Sequence, residues 1–504
     1  MLDSAAMLAS DFATLPDLIA AHAAERGDKL ALADAEQSIC YARLDAVMTR
    51  IAAALQRDGV QPHQPVAILS ANSVASAVAF LSILRAGAVP TPLASSATPD
   101  QLAAMIADCG APIVFADDDG VAALGGVAAT VVRLGDHALL DRGKVAFAPV
   151  AIAPGDPFNI IYSSGTTGTP KGIVQPHAMR WAHIARNAAA GFGDAVTMVA
   201  TPLYSNTTLV SFLPTIAWGG TAVLMAKFDA HAFCTLAERY RATHAMLVPV
   251  QYRRIMALPD FDSFDLSSFR LKTCTSAPFA AALKADIVAR WPGLLVEYYG
   301  MTEGGGTTLL VANAHPDKLH TVGQPIEGHD IRLIDDDGDE VPQGATGEVV
   351  GRSPAMMTGY HGRSDATAGA EWFDADGNRF IRHGDIGRFD EDGFLTLLDR
   401  KKDLIISGGF NLYPSDLETI LAAHPDVADC AVIGVPSDQW GETPVGFYVA
   451  RRGSAGDILA WFNARVGKTQ RLSGLERVDT LPRSAIGKVL KRELRDRWLA
   501  KVTA

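Results

Sequence analysis

A chain of 504 residues is too long for one hydrophobic core, so two or more domains are expected. Hydrophobic residues make up 48% and charged residues 20%, a globular balance, and the net charge of −12 carries no basic patch that would mark a nucleic-acid partner. The five cysteines (Cys40, Cys109, Cys234, Cys274, Cys430) are scattered, with no C-x-x-C, which argues for reduced thiols in a cytoplasm rather than a disulfide framework.

The start, Met1-Leu2-Asp3-Ser4, lacks the basic stretch of a signal peptide. Nowhere does an uninterrupted apolar run reach about 18 residues, so no integral membrane segment is expected. Residues 15–57 read as helix, strand, helix: Leu18, Ile19, His22 and Ala23 recur at helical spacing, Leu30-Ala31-Leu32 is a short strand, and Tyr41 to Leu55 is amphipathic. Val66 to Leu69 is an apolar strand, and Asn72-Ser73 opens a helix over 74–85 that stops at Gly87. Val89 to Leu93 is extended, and Thr98-Pro99-Asp100 caps another helix. This alternation predicts parallel α/β layers.

The apolar run Phe158-Asn159-Ile160-Ile161 then leads into Tyr162-Ser163-Ser164-Gly165-Thr166-Thr167-Gly168-Thr169-Pro170-Lys171-Gly172. Glycine lets backbone approach a ligand closely, hydroxyls and free N–H groups donate, and Lys171 adds a charge. That chemistry suits a polyphosphate, although the Walker spacing is absent. Further strands are expected at 196–200, 221–225, 245–249, 271–274 and 294–299, several ending in polar loops that point to one crevice. From about residue 323, glycine and acidic turns separate short alternating strands, which suggests a small antiparallel or barrel subdomain. The last hundred residues read as α+β: helix 414–424, strands 427–435 and 445–451, helix 455–466, and a terminal helix after Lys488.

Together these stretches resemble the adenylate-forming superfamily of acyl-CoA synthetases, peptide-synthetase adenylation domains and firefly-type luciferases. The resemblance covers nearly the whole chain, with five motifs in the superfamily's order. It implies an α/β fold, with a large N-terminal domain of layered α/β subdomains plus a small β-barrel-like subdomain, and a small mobile C-terminal α+β domain. The boundaries expected are 1–399, a hinge at 400–403, and 404–504.

By that resemblance, Ser163, Ser164, Gly165, Thr166, Thr167, Gly168, Thr169 and Lys171 hold the phosphates of ATP. Tyr298-Tyr299-Gly300-Met301-Thr302-Glu303 would stack adenine, bond the α-phosphate through Thr302 and hold Mg²⁺ through Glu303, with Thr166 as a second metal contact. Thr275-Ser276-Ala277-Pro278 matches an adenine element, with Thr275-Ser276 where glycine or alanine is frequent. In His383-Gly384-Asp385-Ile386-Gly387, Asp385 would chelate the ribose hydroxyls, with Arg400 as a second contact. Lys402 would be the hinge pivot, and Gly408, Gly409 and Phe410 would pass the pantetheine arm of CoA. In Pro482-Arg483-Ser484-Ala485-Ile486-Gly487-Lys488, Lys488 would touch both the substrate carboxylate and the α-phosphate. Trp440 is either a platform for the CoA adenine or a core tryptophan.

The resemblance thus implies an AMP-forming acyl-CoA synthetase using ATP, Mg²⁺, CoA and a small carboxylic acid. A stand-alone enzyme loading a carrier protein in trans is the alternative, and a homodimer is left open. Tyr204-Ser205-Asn206-Thr207, Thr275 and Gly304-Gly305-Gly306 would build the acid pocket. Ser205 stands where many members carry histidine, and the glycines add no bulk, so a roomy cavity is expected. None of these stretches contains Lys or Arg for a second carboxylate, or an acid besides Glu303 for an ammonium. A neutral aryl, arylalkanoic, arylalkenoic or medium-chain acid remains, with a tilt toward an aryl acid with polar ring substituents.

Overall fold

The computed structural model describes residues 3–135, 146–162, 171–407, 410–437, 439–452, 454–484 and 487–503. The chain folds into two compact units: residues 1–320, 325–330 and 351–381 form the first, and 321–324, 331–350 and 382–504 the second.

In the first unit, one sheet has the spatial order Thr308–Val311, Leu294–Tyr299, Leu271–Cys274, His244–Leu247, Val196–Val199, Thr221–Leu224, Leu30–Ala33, Ser38–Cys40. The pairings from Leu294–Tyr299 through to Leu30–Ala33 are parallel, and the two outer strands add antiparallel. Thr221–Leu224 and His244–Leu247 are buried throughout, which explains their continuous apolar character without alternation. A second, all-parallel sheet runs Val89–Pro92, Pro65–Leu69, Ile113–Ala116, Thr130–Arg133. Gly359–Tyr360, Gly172–Pro176 and Pro157–Tyr162 form a third sheet, antiparallel.

Helix boundaries follow local chemistry. Ser73 caps Val74–Arg85 reciprocally with Ser76. Thr98 does the same for Pro99–Cys109, which stops at left-handed Gly110. The strand expected over 245–249 ends at Leu247, because Pro249 opens the helix Pro249–Met256. The short strand Ser38–Cys40 was not expected; three residues carry too little periodicity to read.

Two lysines are built into this unit's interior. Lys272, 0% exposed, donates Nζ to the carbonyl oxygens of Trp291 at 3.0 Å, Pro292 at 2.6 Å and Gly293 at 2.8 Å. Lys284, 1% exposed, pairs with buried Glu297.

The long strand Arg379–Phe389 belongs to the second unit from residue 382 onward, where its residues 385–389 pair antiparallel with Leu395–Arg400. The C-terminal sheet runs Phe410–Leu412, Ile405–Ser407, Gly441–Ala450, Val427–Ser437, with Gly474–Val478 parallel to Gly441–Ala450. Leu417, Leu421, Ile458 and Phe462 join one core cluster, and Ile433, Phe447, Val478 and Leu494 another. The helices Pro414–Ala422, Ala455–Asn463 and Lys491–Thr503 complete an α+β arrangement. The stretch 400–403 contains a single 3-10 turn, Lys401–Asp403, inside this unit. No helix among the described residues is long and apolar enough to cross a membrane.

Candidate active site

The phosphate-loop residues Ser163, Ser164, Gly165, Thr166, Thr167, Gly168 and Thr169 lie outside the described residues. Lys171, half-buried, follows them at the head of Gly172–Pro176. Strand pairing sets Tyr360 opposite Ile173. Lys171 Nζ lies 5.0 Å from the centre of the Tyr360 ring. The Tyr360 hydroxyl donates to Glu303 Oε1 at 2.9 Å. Burial, then the Glu303 charge, pushes the Tyr360 pKa up, so the phenol stays a donor. Cation, ring and carboxylate thus form one chain. The Glu303 carbonyl is held by the Met357 N–H at 2.8 Å.

Behind Thr302 lies a buried amide network. Gln175 donates Nε2 to the Thr302 carbonyl at 2.7 Å and to Asn206 Oδ1 at 3.3 Å. Arg180, 1% exposed, donates to Asn159 Oδ1 and Asn206 Oδ1, each at 2.9 Å, and to Gln175 Oε1. Burial lowers its pKa to about 9, which leaves it charged at neutral pH, neutralised only by amide dipoles. The network ties the Thr302-Glu303 loop to the start of the helix Asn206–Ala217.

Ser205 is the N-cap of that helix, and Thr207 Oγ1 lies 2.5 Å from Ser276 Oγ. Ser276 adopts φ +82°. This left-handed backbone explains why glycine suits the position, and a non-glycine residue there costs about 1–3 kcal/mol. Thr275 and Ala277 flank it half-buried. Tyr204 borders a cavity of about 10 Å³ with Phe80 and Leu203, room for about one water. Gly304, Gly305 and Gly306 are buried. A Cβ on Gly304 would meet the Ala355 carbonyl oxygen at 2.0 Å, so its missing side chain admits the crossing segment at 355–357 and adds no pocket space. The expectation of room from that glycine is therefore corrected. Tyr298 and Tyr299 are half-buried, Gly300 is exposed, and Met301 packs against Ile173 and Met357.

In the second unit, Arg400 Nε lies 2.7 Å from Asp385 Oδ1, the two residues being direct cross-strand partners. Lys402 is exposed by surface, and desolvation by the surrounding protein is the chief cause that lowers its pKa. Trp440 is half-exposed in the turn between two strands, with Lys468 Nζ 5.5 Å from its ring centre, so it is not a core tryptophan. Lys488 is exposed, on a turn closed by Ser484 N–H to its carbonyl at 2.8 Å and by Arg483 to the Gly487 carbonyl at 2.8 Å. Gly408 and Gly409 lie outside the described residues, as does the side chain of Phe410.

A sequence profile of AMP-binding enzymes matches residues 19–361, and one of the AMP-binding enzyme C-terminal domain matches 416–488. The chain belongs to the AMP-binding enzyme family. Among curated relatives, a feruloyl-CoA synthase of Amycolatopsis sp is 34% identical over 472 residues, 92% of this chain and 94% of that one. An indoleacetate–CoA ligase of Aromatoleum aromaticum is 32% identical over 514 residues, 95% of this chain and 97% of its own. The ATP-bound crystal structure of MatB from Rhodopseudomonas palustris superposes with a TM-score of 0.85 at 31% identity, covering 96% of this chain and 99% of that one.

AMP-binding enzymes of the adenylate-forming CoA ligase class use ATP, Mg²⁺ and CoA. The residues here fit a magnesium ion held largely by substrate. Among the described residues no group of three or more His, Cys, Asp or Glu stands together, and Glu303 offers one tethered hard carboxylate. Tyr360, Gln175 and Arg180 bond to the candidate residues Glu303, Thr302 and Asn206 yet escaped the sequence reading. Tyr360 arrives by pairing with a strand far away in sequence. Arg180 and Gln175 left only a faint signal, polar residues in otherwise apolar segments.

Proposed function

We propose that this AMP-binding enzyme couples an aryl or arylalkanoic acid to CoA in two steps. The acid's carboxylate oxygen bonds to the α-phosphorus of ATP as the bond to pyrophosphate breaks. The CoA thiol then bonds to the acyl carbon as AMP leaves. Neither step needs a protein nucleophile; both need charge stabilisation and positioning. In this reading Lys171, Thr302 and Lys488 hold the phosphoryl charge, with Glu303 and Thr166 on Mg²⁺. Asp385 and Arg400 hold the ribose, and Ser276, Ala277, Tyr298 and Tyr299 border the adenine. Gly408, Gly409, Phe410 and Trp440 receive CoA, with Lys402 as the pivot between segments 1–399 and 404–504.

The observation that supports the reading is the Lys171–Tyr360–Glu303 chain, a cation and a tethered carboxylate joined through one ring, with Lys171 following the Ser/Thr/Gly stretch in sequence. The choice of acid is supported by the names of the feruloyl and indoleacetate relatives and by pocket stretches without an acid besides Glu303. Pyrophosphate release over benzoates, hydroxycinnamates, phenylpropionates and C6–C12 fatty acids, with and without CoA, tests it. Aryl acids should lead in kcat/KM, and AMP should form in step with thioester. A lead for acetate or an amino acid sinks the choice of acid. Pyrophosphate release that CoA leaves unchanged would point to a carrier protein as acceptor.

A further inference from the structure

The helix His177–Ala185 and its C-cap carry three basic side chains one turn apart, Arg180, His183 and Arg186. Arg180 is committed to the amide network. Arg186 is not: its side chain makes no hydrogen bond or ion pair among the described residues and stacks on Tyr298, its guanidinium carbon 5.7 Å from the ring centre. It is exposed by surface, yet the surrounding protein desolvates it enough to lower its pKa. A side chain with both properties lines an open recess rather than the outer surface.

The groups around that recess are donors. The Thr307 N–H donates to His329 Nδ1 at 3.0 Å, which leaves the ring proton on Nε2. Burial, then the charge of Arg186, holds the His329 pKa down to about 4, so the ring is neutral. His183 Nδ1 lies 3.5 Å from an Arg180 nitrogen, and burial, followed by Arg186 and then Arg180, keeps it neutral too, again with Nε2 as donor. Among the described residues no carboxylate forms an ion pair with Arg180 or Arg186, and the neighbour that acts on Arg186 with a favourable sign is Tyr298. Asn206 Oδ1 and the Thr302 carbonyl are already taken by Arg180 and Gln175. Among the described residues the recess presents five guanidinium N–H groups and two imidazole N–H groups against one hydroxyl acceptor, that of Tyr298, so most of its acceptors must come from the ligand.

We infer that Arg186 is a specificity-determining residue, closing the far end of the acid pocket and binding an oxygen acceptor at the end of the acid remote from the reacting carboxylate. Tyr298 sits one residue before the Tyr299-Gly300-Met301-Thr302-Glu303 stretch, and His329 is bonded to the residue after Gly304-Gly305-Gly306, so the recess borders the same loops. The acceptor class is a ring carboxylate, phenolate or ketone; a bare ring would bury an unpaired guanidinium. The sequence reading sought a cation only within the pocket stretches, and Arg186 lies outside them. The inference rests on the acid-activation reading of the previous subsection.

The test is binding of non-hydrolysable acyl-sulfamoyl adenosines, read by calorimetry, so that turnover is not required. Three acyl groups are compared: phenylpropanoyl, 4-acetylphenylpropanoyl and 4-carboxyphenylpropanoyl. The wild type should bind the oxygenated mimics at least 10-fold tighter than phenylpropanoyl. Arg186→Met should collapse that ratio toward one while phenylpropanoyl binding stays within about 3-fold; Arg186→Lys should retain part of it for the carboxylate alone. Equal loss for all three mimics in Arg186→Met, or no preference in the wild type, overturns the inference while leaving acid activation standing. Failure of every mimic to bind overturns both.

Discussion

Asp385 and Arg400 face each other across two antiparallel strands, the guanidinium Nε 2.7 Å from the carboxylate. The aspartate is buried and the arginine exposed, so the guanidinium holds from the solvent side a carboxylate that has little other freedom. If Asp385 binds the ribose, Asp385→Asn should raise the KM for ATP by about 10–100-fold, since a hydrogen bond to a charged group contributes about 1.5–3 kcal/mol. The KM for the acid should barely move. An unchanged ATP KM in pyrophosphate-release assays would remove Asp385 from the nucleotide site.

Tyr360 and Glu303 separate tethering from charge. Glu303→Gln removes the hard ligand and should cost at least about 100-fold in adenylation rate at fixed Mg²⁺. Tyr360→Phe keeps the charge but frees its orientation, a loss of about 1 kcal/mol and so about 5-fold. It should appear mainly as a higher Mg²⁺ concentration for half-maximal rate. The Mg²⁺ titration decides: identical curves for wild type and Tyr360→Phe would show that the tether has no part in metal binding.

Lys488 and Lys402 divide the two half-reactions. Lys488→Ala should abolish adenylate formation but spare thioester formation from supplied acyl adenylate. Lys402→Pro, which fixes φ and restricts the preceding residue, should do the reverse. Equal losses in both half-reactions for either variant contradict the assigned role.

Trp440 offers a half-exposed ring partly covered by Lys468. Trp440→Ala should raise the KM for CoA by about 5–10-fold, the loss of one stacking contact of about 1–1.5 kcal/mol, and leave ATP–pyrophosphate exchange untouched. A defect in the exchange reaction would instead mark Trp440 as structural.

The parallel layers and most helix boundaries were legible because buried strands are short apolar runs and caps are local: Ser73, Thr98 and Gly110 act within four residues of where they stand. Asp385 and Arg400 were legible as candidate nucleotide contacts through motif spacing, but not as cross-strand partners. Tyr360 was not, because strand pairing sets it beside Glu303 across a gap of 57 residues. Gly304 was misread for a related reason: the backbone it accommodates, at Ala355, is remote in sequence. Arg186 resembles any solvated helix-end arginine until Tyr298 is seen beneath it.

The two interior lysines have a chemical consequence. An acyl adenylate is a mixed anhydride that acylates any amine it meets, so an enzyme that makes one is at risk of modifying itself. Lys272, its ammonium enclosed by three carbonyl oxygens, and Lys284, locked to Glu297, are out of reach of such a reagent while the first unit is closed. Brief labelling with an amine-reactive ester, read by peptide mass spectrometry, should therefore mark exposed lysines such as Lys488 and spare these two. Label at Lys272 or Lys284 would count the molecules whose interior has opened, giving an internal clock for self-inactivation during turnover.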